Sequence, residues 1–283
     1  MELNFEINEQ LINETQIILT GLESELWESY RGAYGTVVNE VEAIRKEIAG
    51  EEQDAEAFEN SFTNLCETLW HQLSFYNASY LAVPYMMKLL DKKIKQQDFK
   101  WQLRLISEMG MIVATDVPCN HYKEDVDERV VANYNNCIQV LAERTKQFIM
   151  QYLEQIKELD WNEKSYFYVT ALAILDDRKA AYALTSLCFN EIYAVCEACD
   201  EWNEEMPEVS EGEIEEITPA ESVIGMWDGR SLEDTYMWYS NFVYMLGDEE
   251  AANALSFYYG TYTCPECGKE ALVMDVVKKY FEM

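Results

Sequence analysis

Apolar residues recur at steps of three and four along most of the chain, which is the spacing of one face of an α-helix. The longest such stripe predicts a helix across 126–159, and another predicts a helix within 55–73. Asn77 is the predicted cap of a helix over 78–90, in which Pro84 predicts a kink because proline removes a main-chain hydrogen bond. Further helices are predicted over 98–114, over 163–175 with Asn162 as its cap, over about 178–200 and over about 231–259.

Successive helices with short connectors indicate an all-α fold of stacked helical hairpins, an α-solenoid. The composition agrees, since only 5 Pro and 11 Gly are present and an all-β protein usually needs more of both for its turns. The 19 Tyr, 11 Phe and 7 Trp are typical of a chain with a large core, not of a disordered one. An irregular helical bundle has the same periodicity and stays open as an alternative.

The formal net charge is −32, from 53 acidic and 21 basic residues. Direct binding of nucleic acid is disfavoured, because it requires Lys and Arg to neutralise phosphates, and anionic membranes are disfavoured for the same reason. A basic protein would be attracted at long range. The same charge could equally serve solubility, so both interpretations stay open.

The N-terminal residues show neither the basic nor the apolar region of a secretory signal, and no apolar run approaches the ~20 residues that span a bilayer. Eight cysteines are present. In a chain of this size without a visible export signal they indicate reduced thiols or metal ligands. We therefore expect a cytoplasmic protein.

An acidic segment divides the chain. No Lys or Arg occurs between residues 180 and 229, and 201–220 is predicted to form a mobile linker or exposed loop. It separates a predicted helical domain, 1–200, from a C-terminal segment, 221–283, that is expected to pack on it. We expect the acidic side chains of this segment to steer a basic partner: Glu201, Glu204, Glu205, Glu208, Glu211, Glu213, Glu215 and Glu216.

The best local signal for chemistry is the sequence Cys264-Pro-Glu-Cys267-Gly, which has the form of a zinc knuckle at the tip of a small β-hairpin. Structural zinc usually takes four ligands, and a second pair exists at Cys196 and Cys199. On a helix these two would share a face and could complete a four-thiolate zinc site. Alternatively they are core residues, because Val195 and Cys199 also fit an apolar helical stripe. A redox pair is disfavoured, since no βαβ pattern precedes it.

The segment 69–90 begins Leu-Trp-His-Gln at 69–72, continues through Ala82-Val83-Pro84 and ends at Leu89-Leu90. In this pattern it resembles bacterial HEAT-repeat-like proteins, and the tail from Tyr258 to Gly268 is also similar to the ending of some such proteins. The resemblance is specific over about 35 residues. It implies an α-solenoid scaffold of the toxin-immunity type and carries no catalytic residue with it.

The remaining polar residues give little reason to expect catalysis. Cys119 and His121 are interpreted as part of an ordinary loop, and His71 as a structural residue, because two ligands alone hold zinc poorly and only two histidines are present. The chain shows no phosphate loop, nucleophile elbow or zinc-protease motif.

We therefore expect a non-catalytic protein-binding scaffold, an inhibitor or immunity-type protein that sequesters a basic protein, with a toxin as a candidate partner. Trp238 and Tyr239, in the aromatic stretch 231–259, are candidate anchors because such residues dominate binding hot spots, although core packing is the common role. Two alternatives stay open. One is an inhibitor that mimics nucleic acid, and the other is a metal-dependent enzyme with an open, three-ligand site.

Overall fold

The computed structural model describes residues 5–116, 126–175, 185, 194–200, 202–203, 217–219, 247–248, 256–257 and 260–282, and all structural statements below concern these. They fall into two compact units. The helical unit comprises 5–152 together with 170–175. The cysteine unit comprises 153–169 and the described residues from 185 onward.

Several predicted features lie outside the described residues: the 117–125 loop with Cys119 and His121, most of the predicted helix over 178–193, the acidic side chains of 201 and 204–216, and the region of Trp238 and Tyr239.

The helical unit is built from consecutive packed helices. The helices begin and end as follows: α1 Glu9–Glu14, α2 Leu26–Ser29, α3 Val38–Ala49, α4 Ala55–Leu69, a 3-10 turn His71–Leu73, α5 Ser79–Lys95, α6 Phe99–Thr115 and α7 Glu128–Lys157. α3 packs on α4 and α5, and α5 packs on α6. Of the helices in the described ranges, none combines the length and the apolar run that crossing a bilayer requires.

The apolar stripe in α4 is buried as its spacing predicts. Phe58, Phe62, Leu65 and Leu69 are all removed from solvent. Asp54 begins the helix, because its carboxylate accepts a hydrogen bond from the N–H of Ala57 at 2.8 Å. The periodicity therefore located both the helix and its buried face.

The turn between α4 and α5 differs from the prediction. Asn77 does not cap α5, because its side-chain oxygen accepts a hydrogen bond from the N–H of Arg31 at 2.6 Å. The helix begins at Ser79 without a side-chain cap and runs through Pro84. In the turn before α5, Gln72 and Leu73 take left-handed φ angles of 49° and 56°. The spacing of apolar residues does not predict this main-chain conformation.

One close approach fixes the position of α6. Gly110 lies against Thr170, so closely that a β-carbon on the glycine would lie 2.5 Å from the Thr170 β-carbon and 2.6 Å from its carbonyl oxygen. α6 itself begins at the cap Asp98, whose carboxylate accepts a hydrogen bond from the N–H of Trp101. On the neighbouring face, Phe99, Phe148 and Tyr152 form a ring cluster with centroids 5.1–5.6 Å apart.

The cysteine unit combines the end of α7, the part of α8 (Trp161–Leu175) up to residue 169, five short strands and a last helix. Asp160, not the predicted Asn162, caps α8, because the Asp160 carboxylate accepts from the N–H of Glu163 at 3.0 Å. Lys164 and Asp248 form a buried ion pair at 3.2 Å, and the Tyr168 hydroxyl donates to the same carboxylate at 2.7 Å. The elements are α8 Trp161–Leu175, β1 Ala194–Val195, β2 Trp202–Asn203, β3 Ile217–Thr218, β4 Thr261–Thr263, β5 Glu270–Leu272 and α9 Val273–Glu282.

These strands form two antiparallel sheets. β1 pairs with β2, and β3, β4 and β5 form a three-stranded sheet in that order. The predicted hairpin around Cys264 is confirmed, since β4 and β5 flank it. The predicted helix over 178–200 is wrong from Ala194 onward, because Ala194 and Val195 pair as a strand with residues 202–203 and a tight turn follows.

Candidate metal centre

The second Cys-x-x-Cys sequence forms the tight turn that joins β4 to β5. The N–H of Gly268 donates to the carbonyl of Cys264 at 2.9 Å, and the N–H of Cys264 donates to the carbonyl of Lys269 at 3.0 Å. Gly268 takes a left-handed φ of 69°, which glycine adopts without a steric penalty. The sequence therefore folds locally into a turn that directs Cys264 and Cys267 to the same side.

The first Cys-x-x-Cys sequence repeats this design between β1 and β2. The N–H of Asp200 donates to the carbonyl of Cys196 at 2.9 Å, which matches the Gly268 to Cys264 bond of the other turn. Asp200 stands where the other turn has its glycine, and it also takes a left-handed φ, of 54°. The predicted pairing of Cys196 with Cys199 thus holds, but on a hairpin turn instead of a helix face.

The two turns bring their four sulfur atoms together. The sulfur atoms of Cys196 and Cys267 lie 3.7 Å apart, those of Cys199 and Cys264 lie 3.8 Å apart, and all four are within 4.8 Å of one another. Each close pair joins one cysteine from each turn. These distances are far beyond a disulfide bond of about 2.05 Å, and the four are free thiols.

The distances between the four sulfur atoms are close to those of a tetrahedral zinc site. A tetrahedral zinc ion with Zn–S bonds of about 2.3 Å places its sulfur ligands about 3.8 Å apart. The two short contacts match this edge, and the longest separation, within 4.8 Å, exceeds it by about 1 Å at most. The four cysteines can therefore hold a metal ion with small movements of their side chains.

The surroundings of the sulfur atoms differ between the two members of each turn. Cys196 and Cys264 are buried, whereas Cys199 and Cys267 are exposed. The N–H of Ala198 points at the Cys196 sulfur at 3.4 Å and lowers the pKa of this thiol to about 7. The N–H of Lys269 lowers the pKa of Cys267, but removal from water and the thiols of Cys196 and Cys264 outweigh it, so its net shift is upward.

A lysine from the last helix contacts the first turn. The ammonium group of Lys279, in α9, donates to the Asp200 carboxylate at 2.5 Å and to the carbonyl oxygen of Cys196 at 3.3 Å. α9 itself packs against β1 and buries Val273, Val276 and Val277. Sequence reasoning identified all four cysteines but neither Asp200 nor Lys279. The one available signal was that Asp200 follows Cys199 as Gly268 follows Cys267.

The other predicted site residues stand as follows. His71 is near the surface, and the Tyr34 hydroxyl lies 3.1 Å from its ring nitrogens with the two rings 4.9 Å apart. The partner-binding glutamates, Trp238 and Tyr239 lie outside the described residues and stay predictions.

No protein-family model, no curated protein and no solved structure matches the chain.

Proposed function

We propose that the four cysteines hold one structural zinc ion in a non-catalytic binding protein. The observation that carries the zinc assignment is the set of four sulfur atoms within 4.8 Å of one another, supplied by two matching turns. Thiolates favour zinc over magnesium or calcium, which take oxygen ligands. A zinc ion with four thiolates has no open position for water, so the arrangement favours a structural ion over the three-ligand catalytic site of an enzyme.

The binding role rests on the charge of the chain and on its helical architecture. We propose that the helical unit is an array of stacked helical hairpins and that it binds a basic protein, as an inhibitor of the immunity type would. The helical unit contributes to this charge in the connector after α3 and in α4, where acidic side chains are exposed: Glu51, which pairs with Arg45, and Glu52, Asp54, Glu56 and Glu59. Such a surface would accelerate encounter with a positively charged partner at low salt.

The zinc assignment predicts one zinc ion per chain, measured by elemental analysis of protein purified without chelator. Cobalt should replace it and give the intense absorption of a tetrahedral tetrathiolate centre. Cys199→Ser and Cys267→Ser should each weaken the bound ion and shift the cobalt spectrum. Cys137→Ala is the matched control, because Cys137 is a buried thiol of the helical unit and its loss should leave metal content unchanged. Protein that carries no zinc and takes up no cobalt would contradict the assignment.

The binding role predicts that a basic protein co-purifies with the chain at low salt and is released as salt rises. With that protein in hand, reversal of charge at Glu52, Glu56 and Glu59 should slow association at least about tenfold at low salt and flatten its salt dependence. Glu51 is left unchanged because it pairs with Arg45. The same reversals in the acidic run 201–216 test the steering residues predicted from the sequence. An association rate unchanged by both sets would reject an electrostatically steered complex and leave the charge as a solubility feature.

A further inference from the structure

We infer that Lys279 is a positioning residue of the metal centre, which holds the first Cys-x-x-Cys turn in the shape that ligates the ion. The inference rests on the zinc site proposed above. It adds that the geometry of two ligands depends on Lys279, which lies 79 positions from Asp200 in the chain. Three observations carry it: an asymmetry between the two turns, the two bonds of the ammonium group, and the packing of α9.

The asymmetry lies in the residue after each second cysteine. Both residues must be left-handed for the turn to close, with φ of 69° at Gly268 and 54° at Asp200. Glycine takes this conformation freely, whereas aspartate tolerates it better than most residues with a β-carbon but still at some steric cost. The second turn is therefore favoured by its own sequence, and a contact from outside would stabilise the first.

The ammonium group of Lys279 supplies that contact at both ends of the turn. It donates to the carbonyl oxygen of Cys196, the first residue of the turn, and to the carboxylate of Asp200, the residue that closes it. The same Cys196 carbonyl also accepts the N–H of Asp200. Lys279 thus bridges the two residues whose separation defines the turn, and it uses the side chain of the strained residue to do so.

The position of Lys279 is itself fixed. α9 packs on β1, the strand that enters the first turn, and Val276 and Val277 of α9 are buried. The Lys279 side chain is 24% exposed, so most of it is removed from solvent, and its ammonium group contacts the turn. Its positive charge is balanced by the Asp200 carboxylate, so the pair contributes to the geometry of the turn and not to the net charge of the site. Contacts of this outer kind orient metal ligands and tune their affinity.

The test measures zinc affinity by competition with a chromophoric chelator, and the cobalt spectrum as a readout of ligand geometry. Lys279→Met should weaken zinc binding about 10-fold or more and broaden the cobalt bands, whereas Lys279→Arg should restore most of the affinity. Lys269→Met is the matched control. Lys269 is also a lysine beside a cysteine turn, but the turn uses its main chain, so this variant should bind zinc as the parent does.

A second pair of variants tests whether Lys279 acts through Asp200. Asp200→Gly removes both the β-carbon and the carboxylate that Lys279 contacts, so adding Lys279→Met to it should cost much less affinity than Lys279→Met costs alone. Parental zinc affinity and cobalt spectrum in Lys279→Met would overturn the inference. An equal loss with and without Asp200→Gly would show that Lys279 does not act through Asp200. Failure of the parent protein to bind zinc would instead overturn the proposed metal site, so the two failures are distinguishable.

Discussion

Removal of the proposed zinc ion is expected to unfold the strands around the cysteines while the helical unit stays folded. Each strand β1–β5 has only two or three residues, and strands this short do not form a stable sheet by themselves. The ion would join turns separated by 65–71 residues in the chain. In small zinc domains the metal contributes about 10–16 kcal/mol of binding free energy, which is also folding free energy. Loss of the ion should therefore remove most of the order in this region.

Hydrogen exchange with and without a strong chelator measures this effect directly. Amides of β4, β5 and α9 should lose protection when the ion is removed, and amides of α4, α5 and α6 should keep it. Cys264→Ser should reproduce the result without chelator, and Cys137→Ala should not. Uniform protection in the metal-free protein would show that the cysteine unit folds without the ion. A loss of protection that spreads equally through both units would show that they unfold as one.

The second large effect is expected for substitution of Gly110. The sign of the change in the free energy of unfolding shows whether helix propensity or packing against Thr170 dominates at this position. In a helix interior alanine is more favourable than glycine by up to about 1 kcal/mol, so propensity alone predicts that Gly110→Ala stabilises the protein. The added β-carbon would lie 2.6 Å from the main-chain oxygen of Thr170, which cannot move aside as a side chain can. We expect Gly110→Ala to destabilise by about 2 kcal/mol, and Gly110→Val by more.

Urea unfolding of the metal-loaded protein, followed by helical circular dichroism, measures the free energy difference. Ala57→Val in α4 is the control for substitution at a helix position, because Ala57 is exposed and the change should cost about 0.5 kcal/mol at most. Stabilisation by Gly110→Ala would contradict the close packing of α6 on Thr170. Destabilisation that grows from alanine to valine would support it.

The helices were predictable because burial imposes a regular spacing on the sequence. The stripe through Phe58, Phe62, Leu65 and Leu69 is visible without a structure, since only one face of α4 meets the core. The caps were less predictable. Asn77 and Asn162 have the right chemistry, but Asn77 bonds the main chain of Arg31 instead, and Asp160 occupies the capping position near Asn162. A cap depends on main-chain conformation, which the residue type alone does not determine.

The grouping of the four cysteines was predictable from the sequence, but their local structure was not. Val195 and Cys199 fit a helical stripe as well as a strand and turn, because short apolar runs carry no clear period. Residues 194–195 form a strand because they pair with residues 202–203. The spacing of apolar residues in the sequence does not reveal this pairing. Lys279 was not predictable from the sequence at all, since its relation to Asp200 exists only after α9 has packed on β1.

The separation of the two cysteine turns also sets an order of events during synthesis. The ribosome adds about 5–20 residues per second, so Cys264 is made about 3–13 seconds after Cys199, which precedes it by 65 residues. Throughout that interval the nascent chain offers only two of its four sulfur ligands, and two ligands retain zinc poorly. If the four cysteines hold zinc as proposed, the ion would be captured only after the second turn has emerged, and until then the first pair of thiols would have to stay reduced.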